Sequence, residues 1–185
     1  MNRRRALKQL AFLSGSLLLG PGCTFNPKRV SEVHDRLNIT PEKKQLLTKV
    51  VHTLIPGSET PGSVDLDIHH FVLVMVYDMH DKRDRKAFLS GLQQIDELTI
   101  YQFDKAFSDC SVEQRERTLV HIYEESIRVK LLLGSKFASI STFANLTKKY
   151  TIQGYLQSKY FLTEVDPYQL VPGHFNGCVP IERKS

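Results

Sequence analysis

The stretch Thr40-Pro41-Glu42-Lys43-Lys44-Gln45-Leu46-Leu47-Thr48-Lys49-Val50-Val51-His52-Thr53-Leu54-Ile55-Pro56 decides the fold class. Thr40 offers a hydroxyl to cap a helix, and Pro41 fits a first helical turn because the N–H it lacks has no partner there anyway. Leu46, Leu47, Val50, Val51 and Leu54 then recur at helical spacing until Pro56 ends the run. The pattern predicts a helix with one buried face.

Working outward, Pro56-Gly57-Ser58-Glu59-Thr60-Pro61-Gly62-Ser63 concentrates turn-forming residues and reads as an ordered loop. From Asp65, taken as a cap, Ile68, Phe71, Val72, Met75, Val76 and Met79 predict a second amphipathic helix. A third runs from near Asp81 through Phe88, Leu92, Ile95 and Leu98 toward Phe103. Ser111-Val112-Glu113-Gln114 has the form of a capping box and opens a fourth helix, with a break at Gly134. A fifth extends from about Ser135 to Tyr150, followed by a short helical or irregular piece holding Gly154, Tyr155 and Ser158. Pro167, Pro172, Gly173, Gly177 and Pro180 make the tail irregular. The expected architecture is all-α: one domain of about five helices over residues 39–185, a polar spacer over 24–38, and a separate N-terminal segment over 1–23.

The 185 residues suit one globular domain, and the formal charge of +5 invites a polyanionic partner. The distribution of charge removes that invitation. Arg3, Arg4, Arg5 and Lys8 lie in the first 23 residues, which contain no acid; removing these four from 25 basic residues leaves 21 against 20 acidic ones. Nucleic-acid binding therefore has little support. The basic start, an apolar run of about eleven residues from Leu10 to Gly20, and the break at Pro21-Gly22-Cys23 form the three-part plan of an export signal. Arg3 and Arg4, followed by Leu7 and Lys8, resemble a twin-arginine signal, the other reading being an ordinary secretory signal. Gly22-Cys23 reads either as a lipoprotein site acylated at Cys23 or as a place of plain cleavage.

Catalytic signatures are scarce. Gly20-Pro21-Gly22 has Phe25 where a dinucleotide-binding loop needs its third glycine, and Cys23, Cys110 and Cys178 are too far apart for covalent haem attachment. Neither Cys110 nor Cys178 has a basic neighbour in sequence to activate it; in an oxidising compartment the two either pair across about 68 residues or stay separate buried thiols. The best metal candidate is Asp65, Asp67, His69 and His70 at the second helix's start, with Asp78, His80 and Asp81 near its end. Adjacent His69 and His70 project about 100° apart on a helix, and acids at a helix start are accounted for by its dipole, so the expectation is no metal, no cofactor and no catalytic residue in this chain. The competing reading is a stand-alone periplasmic metal-binding protein or enzyme using the Asp65 to His70 cluster.

Several segments together resemble a known family: Val50-Val51-His52-Thr53-Leu54-Ile55-Pro56, Glu59-Thr60-Pro61-Gly62-Ser63, His69-His70-Phe71, Phe88-Leu89-Ser90-Gly91-Leu92, Thr151-Ile152-Gln153-Gly154-Tyr155-Leu156-Gln157-Ser158 and Pro172-Gly173-His174-Phe175-Asn176-Gly177-Cys178-Val179-Pro180. In order and spacing they resemble the gluconate 2-dehydrogenase subunit 3 family, over roughly residues 40–180. The resemblance implies a non-catalytic small subunit of a periplasmic dehydrogenase on the outer face of the cytoplasmic membrane. Its implied partners are a large flavoprotein of the glucose-methanol-choline type that carries FAD, a multihaem cytochrome c subunit, and the twin-arginine translocase that exports the folded pair. Thr60, Pro61, Gly62, Gly154, Tyr155 and Ser158 are the expected partner-facing residues, glycine admitting a close backbone approach and tyrosine supplying contact area. Lys159 and Tyr160 stand where the family commonly continues with Ser-Glu.

Overall fold

A computed structural model describes residues 27–129, 135–166 and 168 of the chain. Arg3, Arg4, Cys23, Gly134, Cys178 and the proline-rich tail lie outside the described residues. Within them the protein is all-helical: α1 (Pro27–Leu37), α2 (Pro41–Leu54), α3 (Ile68–Met79), α4 (Lys82–Phe103), a 3₁₀ turn (Phe107–Asp109), α5 (Val112–Val129), α6 (Ser135–Leu156) and a π-helical turn (Phe161–Val165).

Local chemistry explains where three of the six α-helices start. Thr40 Oγ1 accepts from Lys43 N at 3.4 Å ahead of Pro41, and Asp81 Oδ1 accepts from Asp84 N at 2.8 Å to open α4. At α5 the capping box closes in both directions: Ser111 Oγ accepts from Gln114 N at 3.3 Å, and Gln114 Oε1 accepts from Ser111 N at 3.0 Å. Each device satisfies backbone donors that a helix start otherwise leaves without a partner.

Three expectations need correction. Residues 27–37 of the supposed spacer form α1, which places only Val33 and Leu37 in the core; a helix with two buried apolar residues reads as polar in sequence. With α1 the described residues hold six α-helices rather than five. The piece carrying Gly154 and Tyr155 is the last turn of α6, while Ser158 lies just beyond it, so no break follows Tyr150. Asp65 does not cap α3. Asp67 occupies that position in a left-handed conformation, φ 53°, and makes no side-chain capping bond.

α6 is the central element, packing against α2, α3, α4 and α5. Ile140, Phe143, Ala144, Thr147, Tyr150, Thr151 and Gly154 are all buried along it. Its closest approach is to α4 at Gly91, where an added Cβ would stand 2.3 Å from the Ser139 carbonyl oxygen and 2.5 Å from Phe143 Cβ. Phe88, one turn earlier, meets the Phe143 ring with centroids 5.1 Å apart and planes inclined by 56°. Around this contact Leu47, Val50, Val51, Val72, Leu73, Val76, Leu92, Ile95 and Ile122 form one core.

Gly91→Ala is expected to destabilise the protein by about 2–3 kcal/mol, because the new methyl group meets a helix backbone that moves only as a unit. Gly154→Ala should cost less, since the nearest atom, 2.7 Å away, is Cδ1 of the Phe71 ring and a side chain can yield. Urea denaturation at an unchanged m-value checks both the loss and its order.

Candidate functional site

The loop that joins α2 to α3 is organised by Ser63. α2 ends with carbonyls that no further helical turn can satisfy. Ser63 is fully buried against that end: its N–H donates to Ile55 O at 3.0 Å, and its hydroxyl, with one proton to share, lies 2.9 Å from the Ile55 oxygen and 2.8 Å from the Val51 oxygen, which also accepts from Ile55 N at 3.1 Å. The Ser63 carbonyl then accepts from Ile68 N at 2.9 Å, so one residue links the end of α2 to the first residue of α3. Asp65 Oδ2 accepts from Gly62 N at 2.8 Å, which closes the turn from the other side.

The six residues expected to face a partner divide on this frame. Thr60 is exposed and Pro61 half-buried, both presented by the loop. Gly62 is buried, and the space its missing side chain leaves is taken by Gly57 N and Pro56 C of the same loop, 2.4 and 2.8 Å from a Cβ placed there. Gly154 is buried against Phe71 and Ile68 at the start of α3. The close approaches at both glycines are therefore made within the chain. Tyr155 is half-buried with its ring edge-on to Phe161, and Ser158 Oγ accepts from Phe161 N at 3.2 Å, which folds the π-helical turn back toward α6. On the outer side of α6, Ile152 and Leu156 stand four residues apart, 43% and 44% exposed, and Val165 and Tyr168 are exposed beyond them.

The start of α3 gathers a second group. Asp67, His69 and His70 each bring one ligand-type atom within 4.8 Å of the others. The His69 and His70 ring centroids are only 4.0 Å apart despite their divergent positions on the helix, because side-chain torsion brings the imidazoles together. His34 of α1, which carried no role in the sequence reading, stacks on His70 at 5.2 Å with His34 Nε2 3.3 Å from His70 Nδ1. Burial holds all three imidazoles below their ordinary range, His69 furthest, at about 4; the Lys44 ammonium adds to the effect on all three, and neighbouring imidazoles add to it at His69 and His70.

The other charged candidates have separate duties. Asp65 holds the loop, Asp78 pairs with Arg29, and Asp81 caps α4. His80 bridges Asp84, at 3.3 Å, and the Tyr150 hydroxyl, at 2.8 Å, which joins α4 to α6. Cys110 is buried and its thiol is pushed up by desolvation, a setting unlike that of an activated nucleophile.

Residues 41–173 match the gluconate 2-dehydrogenase subunit 3 family, which covers α2 to α6 and the segment beyond. The chain belongs to this family, and membership makes it an accessory subunit of a multi-subunit dehydrogenase. No curated protein and no solved structure matches it.

Ser63→Ala is expected to cost about 1 kcal/mol, from the loss of the hydroxyl hydrogen bond shared between the Val51 and Ile55 carbonyls, both of which keep a backbone donor. Asp65→Asn, which keeps the shape and weakens the acceptor, should speed amide exchange at Gly62 and leave α5 unchanged. Hydrogen exchange read by NMR checks both the loss and its confinement to the loop.

Proposed function

We propose that this chain is the non-catalytic small (gamma) subunit of a periplasmic, membrane-associated, FAD-dependent sugar or sugar-acid dehydrogenase of the glucose-methanol-choline type. The family match over residues 41–173 carries this reading. On it, the large partner binds FAD and oxidises the substrate, and a multihaem cytochrome c subunit passes the electrons onward. The twin-arginine signal at Arg3 and Arg4 takes the folded pair through the twin-arginine translocase, which serves proteins that fold before export. Acylation at Cys23 would hold the small subunit, and through it the pair, at the outer face of the membrane.

Two features support an interface role. The α2–α3 loop is tied at both ends through Ser63 and Asp65, so Glu59 and Thr60 are exposed on a preorganised frame and little order has to be gained on docking. Ile152 and Leu156 add apolar area at the end of α6. Beyond the first 23 residues the charge is nearly balanced, which favours contact through apolar and loop groups over long-range electrostatic steering.

Replacing Arg3 and Arg4 together by Lys is expected to leave both polypeptides in the cytoplasm and to lower periplasmic dehydrogenase activity at least about tenfold. Ile152→Asp with Leu156→Asp, both at exposed positions, should keep the helical fold by circular dichroism yet abolish co-purification of the flavoprotein. Full periplasmic flavoprotein activity in cells that lack this chain overturns the reading.

A further inference from the structure

Three imidazoles and a carboxylate meet where α1 lies against the start of α3, and the accessory role makes no use of them. Two observations there go unexplained by packing. His69 is only 6% exposed, yet its Nδ1 has no hydrogen-bond partner among the described residues. A buried polar nitrogen without a partner is costly, and such a site commonly answers to something the polypeptide does not supply. Asp67 stands at the helix start in the position of a cap, but its carboxylate caps nothing and lies within 4.8 Å of the ligand-type nitrogens of His69 and His70.

We propose that Asp67, His69 and His70, completed by His34 from α1, bind one divalent transition-metal ion of the zinc class. Metal–nitrogen bonds of about 2.0 Å set tetrahedral ligands about 3.3 Å apart. His34 Nε2 and His70 Nδ1 already stand at 3.3 Å, and binding would draw in Asp67 and His69, whose ligand-type atoms lie within 4.8 Å of one another and of His70's. Three imidazoles with one carboxylate suit zinc and its first-row neighbours and disfavour magnesium and calcium, which take oxygen donors. Four protein ligands leave no open position, so the site is structural and not catalytic.

Its consequence is mechanical. α1 packs chiefly on α3, through buried Val33 and Leu37 and through exposed polar contacts: Arg29 with Asp78, and Arg36 Nη1 donating to the Tyr77 hydroxyl at 2.9 Å. Exposed pairs of this kind hold weakly. An ion shared by His34 and the three α3-side ligands would clamp α1, the helix that follows residues 1–26, onto the helical body. Lys44, whose charge acts on all three imidazoles, opposes the cation and lowers the affinity.

The test uses the untagged full-length chain, with Co²⁺ as spectroscopic probe and Zn²⁺ as competitor. One equivalent of Zn²⁺ should survive dialysis, and bound Co²⁺ should give the intense visible absorption of a tetrahedral site, displaced by Zn²⁺ and untouched by Mg²⁺. His70→Ala and His34→Gln should each weaken Zn²⁺ binding at least about tenfold, and Lys44→Gln should tighten it several-fold. Zn²⁺ should also slow amide exchange in α1 of the parent protein but not of His34→Gln. Absence of stoichiometric Zn²⁺ overturns the proposal, because a hydrogen-bonded histidine pair then explains the geometry. Affinity unchanged in His70→Ala overturns it as well; if that variant fails to fold, Asp67→Asn, at an exposed position, decides in the same way.

Discussion

α6 lies against four other helices at once, and Gly91 and Gly154 allow its close approaches to α4 and α3. At Gly91 the α4 backbone comes so near the Ser139 carbonyl that no side chain fits between them. At Gly154 the Phe71 ring and Ile68 fill the space a side chain would occupy, which sets the start of α3 against the end of α6. Close packing of this kind gains dispersion contacts over many atoms, and it fixes helix positions more narrowly than general apolar burial does.

The rest of the structure follows from where α3 is placed. With Ile68 held against Gly154, the α2–α3 loop must cover a short fixed span, and Ser63 ties that span to the end of α2 through the Val51 and Ile55 carbonyls. The same placement puts Asp67, His69 and His70 beside α1, where His34 reaches His70. α1 has the smallest share in the core, with two buried apolar side chains and polar contacts open to water. It is the element whose attachment a bound ion would alter most, since the other helices are already held through α6.

These features divide labour in a way that suits an accessory subunit. The buried helical body supplies rigidity, the tied loop and the end of α6 are exposed where we propose contact with the partner, and the charge excess sits in the first 23 residues, apart from the nearly neutral remainder. A clamp between α1 and α3 would couple that N-terminal region to the folded body. For a chain read as exported only after folding, such a clamp would act before transport.

Local chemistry was legible in the sequence. The Thr40 cap, the Ser111–Gln114 capping box, the turn-rich loop and the apolar spacing of α2, α3 and α4 depend on residues within one or two turns of each other, so their pattern survives in one dimension. The order of the short motifs also carried the family, which the match over residues 41–173 bears out. α1 is hard to see in the sequence because its composition is polar overall, with two buried apolar residues among nine others, and Asp65 resembles a cap because its bond to Gly62 looks the same on paper as a bond to a helix start. Only the tertiary structure decided that α6 is central, that Gly62 and Gly154 are filled by their own chain, and that His34 belongs with His70. Each of these joins residues distant in sequence or packed in three dimensions, and such contacts are set by which surfaces fit together, a property that helical periodicity does not encode.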